Sequence, residues 1–215
     1  MKKNIFFVSI IFVLVFLFSG CASKDAEPRE RTETFIADVN PFTVTTLHLY
    51  AKINMGKPKI SDFTVTFAPR TNTLFIKGRV GVDVIRIGFD YEERKSLSMA
   101  RMKYIMAYKN SNIPNEKPSK KNAYSNGSVF LEWGGLGTSH DVTTTYMTNA
   151  EYLEKGKPYF RLFFNSTGEE ASEHVYSPRL RIYISPSQWE SIMELCGQEH
   201  LEEMTDAILA EANAF

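Results

Sequence analysis

From about residue 34 onward the chain is governed by a two-residue alternation of apolar and polar side chains, the period of a β-strand with one face on a core and the other in water. Leu47, Leu49, Ala51 and Ile53 alternate with His48, Tyr50 and Lys52, while Phe63, Val65 and Phe67 alternate with Asp62, Thr64 and Thr66. Residues 54–58 and 70–73, rich in Asn, Gly, Pro and Thr, supply turns after them. Between Leu74 and Phe89 the phase flips: Val80, Val82 and Val84 give way to Ile85, Ile87 and Phe89, with Gly78, Gly81 and Gly88 interspersed. A bulge or a bend between two strands would produce that flip. Residues 129–133, 142–147, 159–164 and 175–184 read as further strands, with 165–168 as a turn.

Two helix starts carry their own hydrogen-bonding solution. Asp90 and Ser185 are N-cap acceptors with Glu93 and Gln188 three residues on, and Pro186 stands where its missing N–H costs nothing. After them Leu97, Ala100, Tyr104, Ile105 and Tyr108, and then Trp189, Ile192, Met193 and Cys196, recur at helical spacing. Gly197 stops the second helix, and a last one follows with Leu201, Met204, Ile208 and Leu209 inward. The fold class read from these patterns is α+β: a mainly antiparallel sheet with two or three helices. The likeness of residues 85–90 to 180–185 suggests a duplication, two β-rich halves at 34–110 and 122–215, each ending in a capped helix. That likeness also follows if strand-to-helix junctions simply admit few capping solutions. Residues 110–128 read as an exposed crossover loop. Several strands and then a helix, twice, resembles the PUR and Whirly folds in topology, which implies nothing about activity.

The chain opens with Lys2 and Lys3 and then an apolar run from Ile5 to Phe18 broken only by Ser9. Fourteen residues fall short of the roughly twenty that span a bilayer but suit the core of a secretory signal. Phe18, Ser19, Gly20 and Cys21 resemble the lipobox of bacterial lipoproteins. That resemblance implies signal-peptidase recognition at Phe18, Ser19 and Gly20, cleavage before Cys21, and acyl chains on Cys21 as a membrane anchor. Residues 1–20 are then the signal peptide and 21–33, which include Pro28 and many charges, the lipidated N-terminus and tether. Residues 34–215 form the globular domain. The expected address is the cell envelope, with Ala22 after the cysteine leaning toward the outer membrane in a host that has two.

Of 25 basic and 25 acidic residues, two basic ones leave with the signal, so the mature part is slightly acidic. No clustered positive field remains to draw nucleic acid. The second cysteine, Cys196, has no disulfide partner if Cys21 is acylated, and it reads as a buried inert thiol. The four histidines, His48, His140, His174 and His200, form no ligand pair at metal-binding spacing. Ser139, His140 and Asp141 are triad residue types, but consecutive residues cannot fold back on one another as nucleophile, base and orienter. Gly134, Gly135 and Gly137 lack a following helix to complete a phosphate cradle and read as a turn. Glu132 beside Trp133 has a slight sugar-site character, and Lys109, Lys117, Lys120 and Lys121 with Tyr124 form a basic segment that reads as solvated loop. No catalytic, cofactor-binding or metal residue emerges. The expectation is a lipid-anchored envelope protein whose domain binds a small ligand or an envelope protein, or scaffolds. The rival is an envelope hydrolase using carboxylates in a cleft.

Overall fold

Eight strands, each hydrogen-bonded to its neighbour in sequence, close into a barrel when the last returns to the first. They are β1 (Phe42–Ile53), β2 (Lys59–Ala68), β3 (Thr73–Val80), β4 (Asp83–Phe89), β5 (Ser125–Gly134), β6 (His140–Tyr152), β7 (Pro158–Phe164) and β8 (Leu180–Ile184). The computed structural model describes residues 36–135, 137–153, 156–170 and 174–214. Phe18, Ser19, Gly20 and Cys21 lie outside the described residues. A compact body runs from Thr34 to Phe215.

The closure corrects the expected α+β sheet. Every neighbouring pair is antiparallel, and β1 meets β8 with Tyr50 opposite Tyr183 and Lys52 opposite Arg181. The two β-rich halves are corrected with it: β4 pairs with β5, Ile87 opposite Leu131, so the two sets of four strands share one wall and one core. The reason is physical. A half-buried strand alternates in the same way in an open sheet and in a barrel, and only the pairing of its two edge strands distinguishes them.

The alternation itself is obeyed. Phe63, Val65, Ile85, Ile87, Leu131, Phe160 and Ile182 all point into the lumen and are fully buried, each side chain stabilising by about 1.5–3 kcal/mol. A Cβ on Gly78 would lie 2.7 Å from the Phe63 ring, so the glycine leaves that ring room to fill the lumen. The phase flip after Val80 is neither bulge nor bend. Val80 pairs with Asp83 across a two-residue hairpin, and Gly81 takes φ +70°, the left-handed value a Gly-X hairpin loop places first. The true bulge is in β1, between Thr43 and Thr45. The outward face carries groups such as Asp62, Lys77, Arg86, Glu132 and Thr143, whereas a membrane-spanning barrel turns an apolar band outward. Among the described residues no helix is long and apolar enough to cross a membrane.

Both helical excursions leave the barrel at the same end. Helix α1 (Tyr91–Lys109) follows β4; α2 (Pro186–Cys196) and α3 (Gln198–Asn213) follow β8. Ser185 and Gln188 complete a reciprocal capping box at 2.8 and 3.3 Å. Asp90 caps only in one direction, accepting from the Glu93 N–H at 2.8 Å. The Glu93 carboxylate turns instead to the wall, where it accepts from the Ser128 N–H at 3.2 Å and from the Tyr146 hydroxyl. That clasp, with Leu97, Ala100 and Tyr104 buried beneath α1, lays the helix across β4 to β7.

The crossover is less exposed than its composition suggests. Tyr124 stacks on Phe160 with centroids 6.1 Å apart, Ser119 caps a short 3-10 turn at Lys120–Asn122, and Asn149 on β6 donates to the Ser119 carbonyl at 2.9 Å. Residues 175–179, expected within a strand, hold a single bridge from Tyr176 to Gly168, and β8 starts at Leu180.

Candidate functional site

Helix α1 covers the β4–β7 side of the barrel mouth, and α2 packs against β1 on the other side. Between them lies a cavity of about 270 Å³, just below the roughly 300–1,000 Å³ of small-molecule sites. Its floor is the lumen: Leu49, Leu74, Ile76, Leu162 and Ile182 come from four different strands because the inward period repeats around the wall. Its roof is α2, which presents Trp189, Ile192, Met193 and Cys196 at helical spacing. Its rim is the first turns of α1, with Tyr91, Arg94, Lys95 and Ser98, and the start of α3 at Gln198.

The rim is basic. Arg94 and Lys95 line the cavity, and no acidic residue among the described ones does. Among the described residues the Arg94 guanidinium hydrogen-bonds to Asn72: one nitrogen, Nη2, donates to both the backbone carbonyl, at 3.0 Å, and the side-chain oxygen. Asn72 can offer both because it sits in the left-handed region at φ 48°, closing the short 3-10 turn before β3. No carboxylate among the described residues comes within ion-pairing distance of Arg94. Burial pulls its pKa below the ordinary arginine value, while Tyr91, Asp90, Cys196 and Glu202 oppose the change. The group stays charged.

Buried polar atoms are almost always paired, and each unpaired one costs about 1–3 kcal/mol. Five such side-chain atoms occur among the described residues. Three of them, Arg94 Nε, Trp189 Nε1 and Gln198 Oε1, belong to residues of this one cavity. The expected inert thiol is here too. Burial pushes the Cys196 thiol up to about 11, with Arg94 acting against it, so it is neutral and a poor nucleophile near pH 7.

The residues singled out from sequence are scattered. Ser139 donates to Glu132 at 3.0 Å, while His140 donates from Nδ1 to Glu169 at 3.2 Å and stacks on Trp133 at 5.6 Å. Ser139 and His140 therefore serve separate contacts. Glu132 stands on the outer wall, 3.3 Å from Arg86 and directly across the strand pair from Asp141. His48 pairs with exposed Asp62 at 2.6 Å, and His200 lies 3.8 Å from Glu203. No group of three or more His, Cys, Asp or Glu that could hold a metal is found among the described residues. Gly137 does adopt a turn conformation, φ +88°. Sequence reasoning missed Arg94 altogether, since on a helical wheel it is one more surface cation. The available signal was its place four residues after the Asp90 cap, on the turn that enters the barrel mouth.

The geometry defines a class: a closed antiparallel barrel with an apolar lumen roofed by helices at one end and rimmed by cations. A family model described as "Uncharacterised Treponema protein" matches residues 24–203, and the chain belongs to that family. It is similar to an uncharacterized protein of Treponema pallidum (strain Nichols), 29% identical over 150 residues, covering 70% of this chain and 53% of that protein. The chain thus spans about half the length of that relative. No solved structure matches it.

Proposed function

We propose that the protein is a lipid-anchored binding protein of the cell envelope, held by acyl chains on Cys21, whose barrel takes a small, mainly apolar ligand between α1 and α2. The observation that carries the binding half is the cavity of about 270 Å³, floored by leucine and isoleucine and roofed by Trp189. Concave, mostly apolar sites with a few polar groups at the edge are what small ligands use. Support for the anchor comes from residues 18–21 read as a lipobox, and two or three acyl chains hold a protein durably at a membrane. Residues 21–33 act as the tether and 34–215 as the binding domain, with the envelope, and its outer membrane where there are two, as the place of work.

Two measurements test this reading. Replacing Cys21 by Ser should release the protein from membranes and abolish labelling by a fatty acid; retained labelling contradicts the anchor. Protein purified with its anchor should yield, on organic extraction and mass spectrometry, one apolar small molecule in near-stoichiometric amount beyond the anchor lipids. Met193→Trp, which fills the cavity from α2, should lose that molecule. The same extract from both forms contradicts the site.

A further inference from the structure

Resting on the binding reading just given, we infer that the ligand is a single-chain anionic amphiphile, its tail in the lumen and its acidic head at Arg94. The tail follows from the strand residues that line the cavity, which offer only aliphatic and aromatic surface: the floor from β1, β3, β7 and β8, and Phe89 from β4. The head follows from charge. Two cations of α1 stand at the rim, no carboxylate lines the cavity among the described residues, and the carboxylates of Asp90 and Glu202 act on Arg94 only through their charge.

Arg94 is also prepared for such a partner in a way that an ordinary surface arginine is not. Asn72 fixes its Nη2 from one side, and the Phe67 and Tyr91 rings stand 5.6 and 5.8 Å from the guanidinium carbon. Its position is therefore set before any ligand arrives, which removes part of the ordering cost of binding. Its Nε is buried without a partner, and Nη1 makes no hydrogen bond among the described residues. A carboxylate matches a guanidinium through two parallel N–H···O bonds, a geometry that a neutral alcohol cannot offer. The unpaired N–H donor of Trp189 on the same cavity gives the head group a further partner once this side chain turns toward it. Lys95, exposed at the outer edge, adds a second attraction without being ordered. The seat thus selects sign of charge at its rim.

Isothermal titration of the full-length protein, stripped of bound lipid, with decanoate, decanol and decylammonium tests this. Decanoate should bind at least tenfold more tightly than decanol, and decylammonium more weakly than either. Arg94→Met should remove the tenfold preference and leave decanol binding within about twofold. If decanol and decanoate bind alike, or the preference survives in Arg94→Met, the inference about the head group is overturned while the cavity reading stands. If none of the three binds, both fall. The comparison of the three probes on the unaltered protein decides the matter even where Arg94→Met fails to fold.

Discussion

The two ends of the barrel are built from the same alternating strands, and they differ in what closes them. At one end four hairpin connections join the strands, and polar groups find partners within the wall: His140 with Glu169, Ser139 with Glu132, Glu132 with Arg86. At the other end the chain leaves twice for a helix, and the helices meet over the lumen without filling it. There Arg94, Trp189 and Gln198 keep unpaired polar atoms. Ser139 and Glu132 flank one hairpin, while Arg86 and Glu169 come from other segments, so partners at this end are supplied by the wall and its connections. A roof of separate helices must be fitted against a finished barrel, and the space left at the join is where a ligand can contribute contacts the chain does not make.

Large-to-small changes should test that contrast most severely. Phe160 is fully buried and holds the roof together, its ring 5.5 Å from Tyr104 and 5.1 Å from Trp189. Phe160→Ala should cost about 3–5 kcal/mol in urea unfolding and abolish ligand binding with it. Ile85→Val, equally buried but near the hairpin end, should cost about 0.5–1.5 kcal/mol and leave binding intact. If both changes affect binding equally, the two ends are not separate in function.

Next in size is the clasp of α1. Glu93→Ala leaves the Ser128 N–H and the buried Tyr146 hydroxyl without their acceptor, so stability should fall by about 1–3 kcal/mol and the α1 amides should exchange faster. The alkaline limb follows the same geography. Burial raises the Cys196 thiol to about 11, whereas an unfolded thiol titrates near 8.5. Between those values the unfolded chain has lost the proton and the folded one keeps it, so stability falls as pH rises from about 8.5 to about 11. Cys196→Ala should flatten that part of the profile. Buried Tyr104, Tyr146 and Tyr183, also raised by burial, continue the decline above about 10 and should be unaffected by the substitution.

Smaller effects belong to the hairpin end and the outer wall. Glu169→Gln weakens the bond from His140 and should cost about 0.5–1.5 kcal/mol in denaturant melts with no change in ligand affinity. Asp62→Asn, in a pair exposed on both sides, should stay within about 0.5 kcal/mol.

The strands were readable because the alternation is local: inward Leu47, Leu49, Ala51 and Ile53, and inward Phe63, Val65 and Phe67, follow from their spacing alone. Both caps, at Asp90 and Ser185, were readable for the same reason. Closure was not, because it lies in the pairing of Ala51 with Ile182 and of Ile85 with Trp133, contacts between distant segments that no short pattern encodes. β6 ran past Met147 because Asn149, polar in sequence, is buried by its bonds to the crossover. The cavity was hidden on the same ground. Trp189 and Cys196 fall on one helical face by their spacing, yet nothing local says that the elements meeting there stop short of touching. Glu132 and the 139–141 cluster drew attention through residue type, and the structure assigns both to the satisfied end.

The claim that the roofed end is the binding end rests most directly on the two tryptophans, one at each end of the barrel. In a Trp133→Phe background, titration with a bromine-tagged medium-chain fatty acid should quench Trp189 emission in a saturable way. Unchanged Trp189 emission over the same range, with Trp133 quenched in the unaltered protein, would place the site at the other end and contradict the account.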